Sequence, residues 1–253
     1  MAEPRVFKST DDRIVLIETE AFLALSELSD SSVDLILTDP PWNTRKKQVL
    51  GAYAYGDHFM DFRAFLLPVL QHARRVLRPA GVCIVHMGIQ EAHNVRTWLD
   101  SVFGVEHFLA ELIAHHEAGR GAGSCWAQKH SHILIYSKGD NFTFNEDKVP
   151  MTERKAPVRE YIGQKRVNSV LPATMSTSDG QRVGYPSQKP LTLYQALIEV
   201  HTRPGAIVCD PFCGSGTTGD AAWRCGRAAI LSDSNSQAVD LTARRLGLHL
   251  VDD

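Results

Sequence analysis

Two short stretches carry residue types suited to chemistry. The first is Asp39-Pro40-Pro41-Trp42, directly after the apolar run Val33 to Thr38. Neither a helix nor a central strand continues through two consecutive prolines. The prolines fix φ and withhold two N–H donors, so the turn presents the Pro40 carbonyl purely as an acceptor beside the Asp39 carboxylate. Two acceptors aimed at one point suit an exocyclic amine such as adenine N6, whose lone pair is delocalised into its ring. Bonds to both amine hydrogens favour a pyramidal nitrogen with a localised lone pair, free to attack an electrophilic carbon through positioning and electrostatics alone. Trp42 adds a flat face for the base, which has to leave a duplex to be reached. A stiff turn with a capping aspartate and a core tryptophan accounts for the same residues without chemistry.

The second stretch is "VCDPFCGSGTTGD", which sets Gly214, Ser215, Gly216, Thr217, Thr218 and Gly219 between a strand and a helix, with Asp233 at the end of the next strand. The spacing satisfies G-x-G-x-x-G with its distal ribose-binding acid and by itself nominates a dinucleotide. Asp210 argues otherwise, because a carboxylate just before the loop opposes a pyrophosphate and suits a cationic ammonium. The chain also ends about twenty residues past Asp233, which leaves no room for the second half of a dinucleotide fold in its usual order. A nucleoside joined to an amino acid, S-adenosylmethionine, fits better. Its ribose would bond Asp233 and its adenine would contact Phe212. A plain strand-to-helix turn is the alternative for Gly214 and Gly216.

The elements that must position these stretches follow from hydrophobic periodicity. The pattern predicts strands at Arg13–Ile17, Val33–Thr38, Gly81–Met87, Phe108–His115, His132–Ser137, Ala206–Cys209 and Ala228–Leu231. It predicts helices at Thr19–Leu28, over the stripe 62–77 with a kink or late start at Pro68, at Ile89–Leu99, after Pro190, at Gly216–Cys225 and at Ser236–Leu246. Residues 43–60 read as a loop long enough to move. Strands alternating with helices imply an α/β fold with a mainly parallel sheet covered on both faces. Residues 140–186 break the rhythm, so one domain over 1–253 with a compact insertion is expected. There Lys148, Arg154, Lys155, Arg159, Lys165 and Arg166 outnumber the acids, as a solvated loop or a polyanion-facing patch.

The 253 residues, 43% apolar and 22% charged, are of ordinary globular composition and exclude a disordered chain. Cys83, Cys125, Cys209, Cys213 and Cys225 form no CxxC pair, which points to reduced thiols, and Cys209 with Cys213 lacks the second pair of a metal site. No signal core or membrane span is visible, so the chain reads as cytoplasmic. A net charge of −2 makes any nucleic-acid role a matter of local patches. His115, His116, His130 and His132 read as ordinary strand and loop histidines.

Both motifs together resemble the amino-methyltransferases of DNA, with their D-P-P-[YFW] and D-P-F-x-G-S-G-T signatures. The order, catalytic motif first and cofactor motif last, is similar to their beta group. Further similarity lies in "SSVDLILTDPPW", "RRVLRPAGVCIVHMG", "HSHILIYSK" and "YPSQKPLTLYQALIEVHTRPGAIVCDPFCGSGTTGD". The resemblance implies a circularly permuted class I S-adenosylmethionine-dependent methyltransferase fold, in which the helix Ser236–Leu246 ends near the strand at Arg13. It assigns Lys189 of the Gln188-Lys189-Pro190 segment to the methionine end of the cofactor and Glu20 to the neighbourhood of its adenine. Tyr185 replaces a histidine common in the family, and Asp233 stands where glutamate is commoner.

The activity implied is methyl transfer from S-adenosylmethionine to adenine N6 in DNA, since Asp at position 39 is more typical of adenine and Ser of cytosine N4. Asp39, Pro40, Pro41 and Trp42 would act on a flipped base, with Arg45, Lys46, Lys47 and the 140–186 region on phosphates. The resemblance also allows a restriction-modification setting and a homodimer. Cytosine N4, RNA or a protein amide would keep the chemistry and change the substrate. A DNA-binding module without catalysis and a nicotinamide oxidoreductase are the readings from other classes.

Overall fold

The computed structural model describes residues 3–50, 52–116, 126–153, 164–173 and 182–251. Its frame is a ten-stranded sheet in the spatial order β11-β7-β8-β6-β3-β12-β13-β2-β1-β14. The strands are β1 Val6–Lys8, β2 Ile14–Glu18, β3 Val33–Thr38, β6 Leu77–Met87, β7 Phe108–His115, β8 His130–Ser137, β11 Val170–Pro172, β12 Ile207–Asp210, β13 Ala228–Asp233 and β14 His249–Leu250. The centre, from β6 through β3, β12 and β13 to β2, is parallel, whereas β8 runs antiparallel to both β6 and β7.

Central parallel strands are buried on both faces, which is why β3 reads as an unbroken apolar run. Residues alternate between two cores. Leu35, Leu37, Ile84 and Val208 join helices α4 Leu191–His201, α5 Thr217–Arg224 and α6 Ser236–Leu246 on one side. Ile36, Cys83, Val85 and Cys209 join α1 Ala21–Glu27, α2 Phe62–Val76 and α3 Ala92–Phe103 on the other. No helix of the described residues is long and apolar enough to cross a membrane.

The two ends of the chain meet as the permuted order requires. Val251 N donates to Val6 O at 2.8 Å, β14 pairs with β1, and β1 turns back antiparallel onto β2. Helix α6 packs against β2, so the last helix lies beside the first long strand.

Two expectations need correction. Residues 43–60 contain a β-hairpin, β4 Lys46–Leu50 against β5 Tyr53–Asp57. Asp57 anchors its base, accepting from Asn43 N at 2.7 Å and Thr44 N at 3.1 Å. Helix α2 does not start late, since Asp61 caps it by accepting from Ala64 N at 2.9 Å and Pro68 lies inside it. Shorter strands that periodicity cannot register, β9 Met151–Glu153 and β10 Gln164–Arg166, form a separate antiparallel pair.

Candidate active site

Strands β3, β12 and β13 end side by side, and each carries an acid at its C-terminal edge: Asp39 just past β3, Asp210 closing β12 and Asp233 closing β13. All three line one cavity of about 830 Å³, together with Pro40, Pro41 and Trp42. Ligands of open parallel sheets bind at this edge. The two stretches singled out in the sequence, about 170 residues apart in the chain, therefore face a single space.

At the first corner, Asp39 Oδ1 accepts from Trp42 Nε1 at 2.9 Å and Asp39 Oδ2 accepts from Lys189 Nζ. The carboxylate is thus fixed by its own motif and by the residue before Pro190, the N-cap of α4. Burial raises the Asp39 carboxyl above its ordinary range, Lys189 and Trp42 pull it down, and Asp57 adds to the rise. Trp42 is seated on Gly88 at the end of β6. A Cβ built there would lie 2.4 Å from the indole Cε3, so only glycine admits the ring.

The second corner is built around Asp210, which is buried. Its Oδ1 accepts from Thr38 Oγ1 at 2.8 Å and Phe212 N at 3.1 Å, and its Oδ2 accepts from Thr218 Oγ1 at 2.5 Å. Burial pushes this carboxyl up to about 7, against the pull of Thr218, Thr38 and the Phe212 N–H. Asp233 accepts from Gly214 N at 2.9 Å and Asn235 N at 2.9 Å, tying the glycine loop to the next strand, and burial raises it too. Gly216, the N-cap of α5, sits at φ 75°, and a Cβ on it would meet Thr242 Cγ2 at 2.8 Å. Its glycine identity answers to α6 behind the loop, whereas Gly214, Ser215, Thr217 and Thr218 line the cavity.

The hairpin 46–57 packs against the segment 185–187 and the start of α6. The Tyr55 ring stacks on Tyr185 with centroids 6.2 Å apart, Tyr55 OH lies 3.1 Å from Ser187 Oγ, and Asn235 Nδ2 donates to Ala54 O at 3.2 Å. Lys46 and Lys47 are exposed on its first strand, and Arg45 is exposed just before it. Glu20, the exposed N-cap of α1, and Phe212, 5.8 Å from Phe65 between centroids, complete the rim. Arg166 is exposed and ion-paired with Glu146. Lys165 lies on β10, and Arg154, Lys155 and Arg159 lie outside the described residues.

The donor set matches a cationic cofactor. Four carboxylates line the cavity, Glu20, Asp39, Asp210 and Asp233; Lys189 is the cation paired with Asp39, and neither Asp210 nor Asp233 forms an ion pair with a described residue. A pyrophosphate would meet uncompensated negative charge, whereas a sulfonium and an ammonium would relieve it. The volume suits a nucleoside ligand, and Pro40, Phe59, Phe65 and Phe212 supply apolar walls.

Residues 33–244 match the DNA methylase family of N6 and N4 enzymes. The chain belongs to this family and is an S-adenosylmethionine-dependent DNA amino-methyltransferase. It is 29% identical over 241 residues to the type II methyltransferase M.HpaI of Haemophilus parainfluenzae, covering 91% of this chain and 73% of that protein. It is 28% identical over 247 residues to the DNA adenine methyltransferase YhdJ of Escherichia coli K12, covering 91% and 82%. Its fold is similar to that of PvuII DNA methyltransferase, a cytosine-N4-specific enzyme, at TM-score 0.71 and 19% identity over 92% of this chain and 86% of that one. The S-adenosylmethionine complex of M1.HpyAVI superposes at TM-score 0.64 and 20% identity, covering 92% and 98%.

Proposed function

We propose that the chain transfers a methyl group from S-adenosylmethionine to N6 of adenine in DNA. The observation that carries the reading is the shared cavity, in which the Asp39-Pro40-Pro41-Trp42 corner faces the loop pinned by Asp210 and Asp233. Aspartate at the head of the corner favours adenine, and a relative named as a DNA adenine methyltransferase supports it.

Each residue then has a definite task. When bound, S-adenosylmethionine supplies a methyl carbon made electrophilic by its sulfonium. Asp233 holds the ribose hydroxyls, Phe212 and Glu20 border the adenine, and Asp210 with the Ser215–Thr218 turn faces the charged amino-acid end. Asp39 and the Pro40 carbonyl would accept from the two hydrogens of the target amine and localise its nitrogen lone pair for attack; as the N–C bond forms the methyl–sulfur bond would break, the thioether would leave, and the surplus amine proton would pass to the Asp39 carboxylate or to solvent. Pro41 keeps that turn rigid, and Trp42 stacks on the base after it leaves the duplex. Arg45, Lys46 and Lys47 at the hairpin, with the basic residues of the 140–186 insertion, contact phosphates. That insertion is short, so sequence readout is simple or shared between two copies of the chain.

Mass analysis of nucleosides from cells expressing the chain tests the assignment. N6-methyladenine is the expected product. N4-methylcytosine would move the target to cytosine, and unmodified DNA would remove the reading.

A further inference from the structure

One ammonium joins the two members of the corner that would meet the base. Lys189 is 7% exposed, and its Nζ donates to Asp39 Oδ2 and to Ser187 O, the latter at 2.9 Å. The same nitrogen lies 4.8 Å from the centroid of the Trp42 ring. Ser187 holds φ at 60°, a conformation that costs energy for a residue with a Cβ, and its carbonyl is spent on this lysine. Lys189 and Trp42 Nε1 take one lone pair from each oxygen of Asp39, which leaves a lone pair on each for a further donor.

The surroundings of Asp39 otherwise disfavour its charge. Asp57 from β5 and Asp210 from β12 interact with it as like charges. Tyr55 from β5 and Tyr194 from α4 also face it, each held protonated by burial and by this negative charge. His86 from β6, 6.0 Å from Trp42 between ring centroids, is kept neutral by burial and then by Lys189. Among the described residues, Lys189 is the cation in contact with the carboxylate. A protonated Asp39 would carry a hydrogen where the target amine needs an acceptor.

We infer that Lys189 is a positioning residue of the transfer reaction, acting through Asp39: its ammonium keeps the carboxylate charged and aimed, and steadies the Trp42 face beside it. This rests on the role proposed above for Asp39. It differs from the task that family resemblance gives the lysine, at the methionine end of the cofactor, and the two separate by experiment.

Single-turnover methyl transfer is measured across pH for the wild type, Lys189→Met and Lys189→Arg, with S-adenosylmethionine affinity taken by calorimetry and folding by thermal melt. Loss of an adjacent opposite charge raises a carboxyl by about 1–3 pH units, so the acid limb of the rate profile should move up by that amount in Lys189→Met. The rate deficit of Lys189→Met should then be greatest on the acid side and shrink as pH rises, while cofactor affinity stays within about threefold. Lys189→Arg should return the limb toward its wild-type position. Should Lys189→Met not fold, Lys189→Gln carries the same comparison. An unmoved acid limb in a folded variant would overturn the inference, and a tenfold weaker cofactor affinity beside it would make Lys189 a cofactor ligand. A wild-type chain that methylates no DNA would remove the reading of the site itself, a result distinct from an active wild type whose variant keeps its pH profile.

Discussion

Asp210→Asn should make the chain more stable at alkaline pH and worse at holding its cofactor. The Asp210 carboxyl is buried, bonded among the described residues to neutral donors, and pushed up to about 7 from the ordinary 3.8. Its value in the folded chain is raised, so the stabilising contribution is fully present below the unfolded value and is lost as pH climbs through the folded one. From about pH 5 to about pH 8 the wild type forfeits roughly two pH units of that advantage, about 3 kcal/mol at about 1.4 kcal/mol per unit. Asparagine does not titrate, keeps an acceptor for Thr38, and can donate to a reoriented Thr218 hydroxyl. The stability difference, variant minus wild type, should therefore grow by about 3 kcal/mol between those pH values. For a chain of this size that is about 6–12 °C in the relative melting temperature. If Asp210 faces the cationic end of the cofactor as proposed, S-adenosylmethionine affinity should fall about tenfold or more on loss of its charge. Paired melts at the two pH values and one calorimetric titration are the assay. An equal stability difference at both pH values would refute a buried, titrating Asp210.

Two further substitutions follow from close contacts. Gly88→Ala places a Cβ within 2.4–2.7 Å of the Trp42 indole, so the ring must leave its seat. Transfer to DNA should drop about tenfold or more with cofactor affinity unchanged, and wild-type transfer would show that the tryptophan does not hold the base. Gly216→Ala combines a left-handed φ of 75° with a clash against the buried Thr242. It should cost about 2–4 kcal/mol, read as a lower melting temperature and partly relieved by Thr242→Ser. An unchanged melt would mean the loop relaxes freely.

What the sequence made legible depended on how local the cause was. Val33–Thr38 and Ser236–Leu246 match their observed bounds because burial on both faces marks the strand, while an Asn235 cap and a left-handed Gly247 mark the helix ends. The glycine loop at the cavity was legible as a strand-loop-helix unit because strand, glycines and distal acid lie within about 25 residues. The hairpin was not, since "KKQVL" and "YAYGD" lack alternation and are held by distant partners, Tyr185, Ser187 and Asn235. Strands β1 and β14 are too short to show a period. The link between Lys189 and Asp39 spans 150 positions, and no local pattern announces it. Gly88 left only a faint trace, a glycine directly after a buried strand, whose meaning appears once Trp42 lies against it.

The sharpest single test is methyl transfer to DNA by Asp39→Ala, measured beside its affinity for S-adenosylmethionine. Removing one of two preorganised acceptors should lower the single-turnover rate by at least about 10²-fold while the cofactor still binds. Transfer at the wild-type rate would contradict the claim that this carboxylate prepares the target nitrogen for attack.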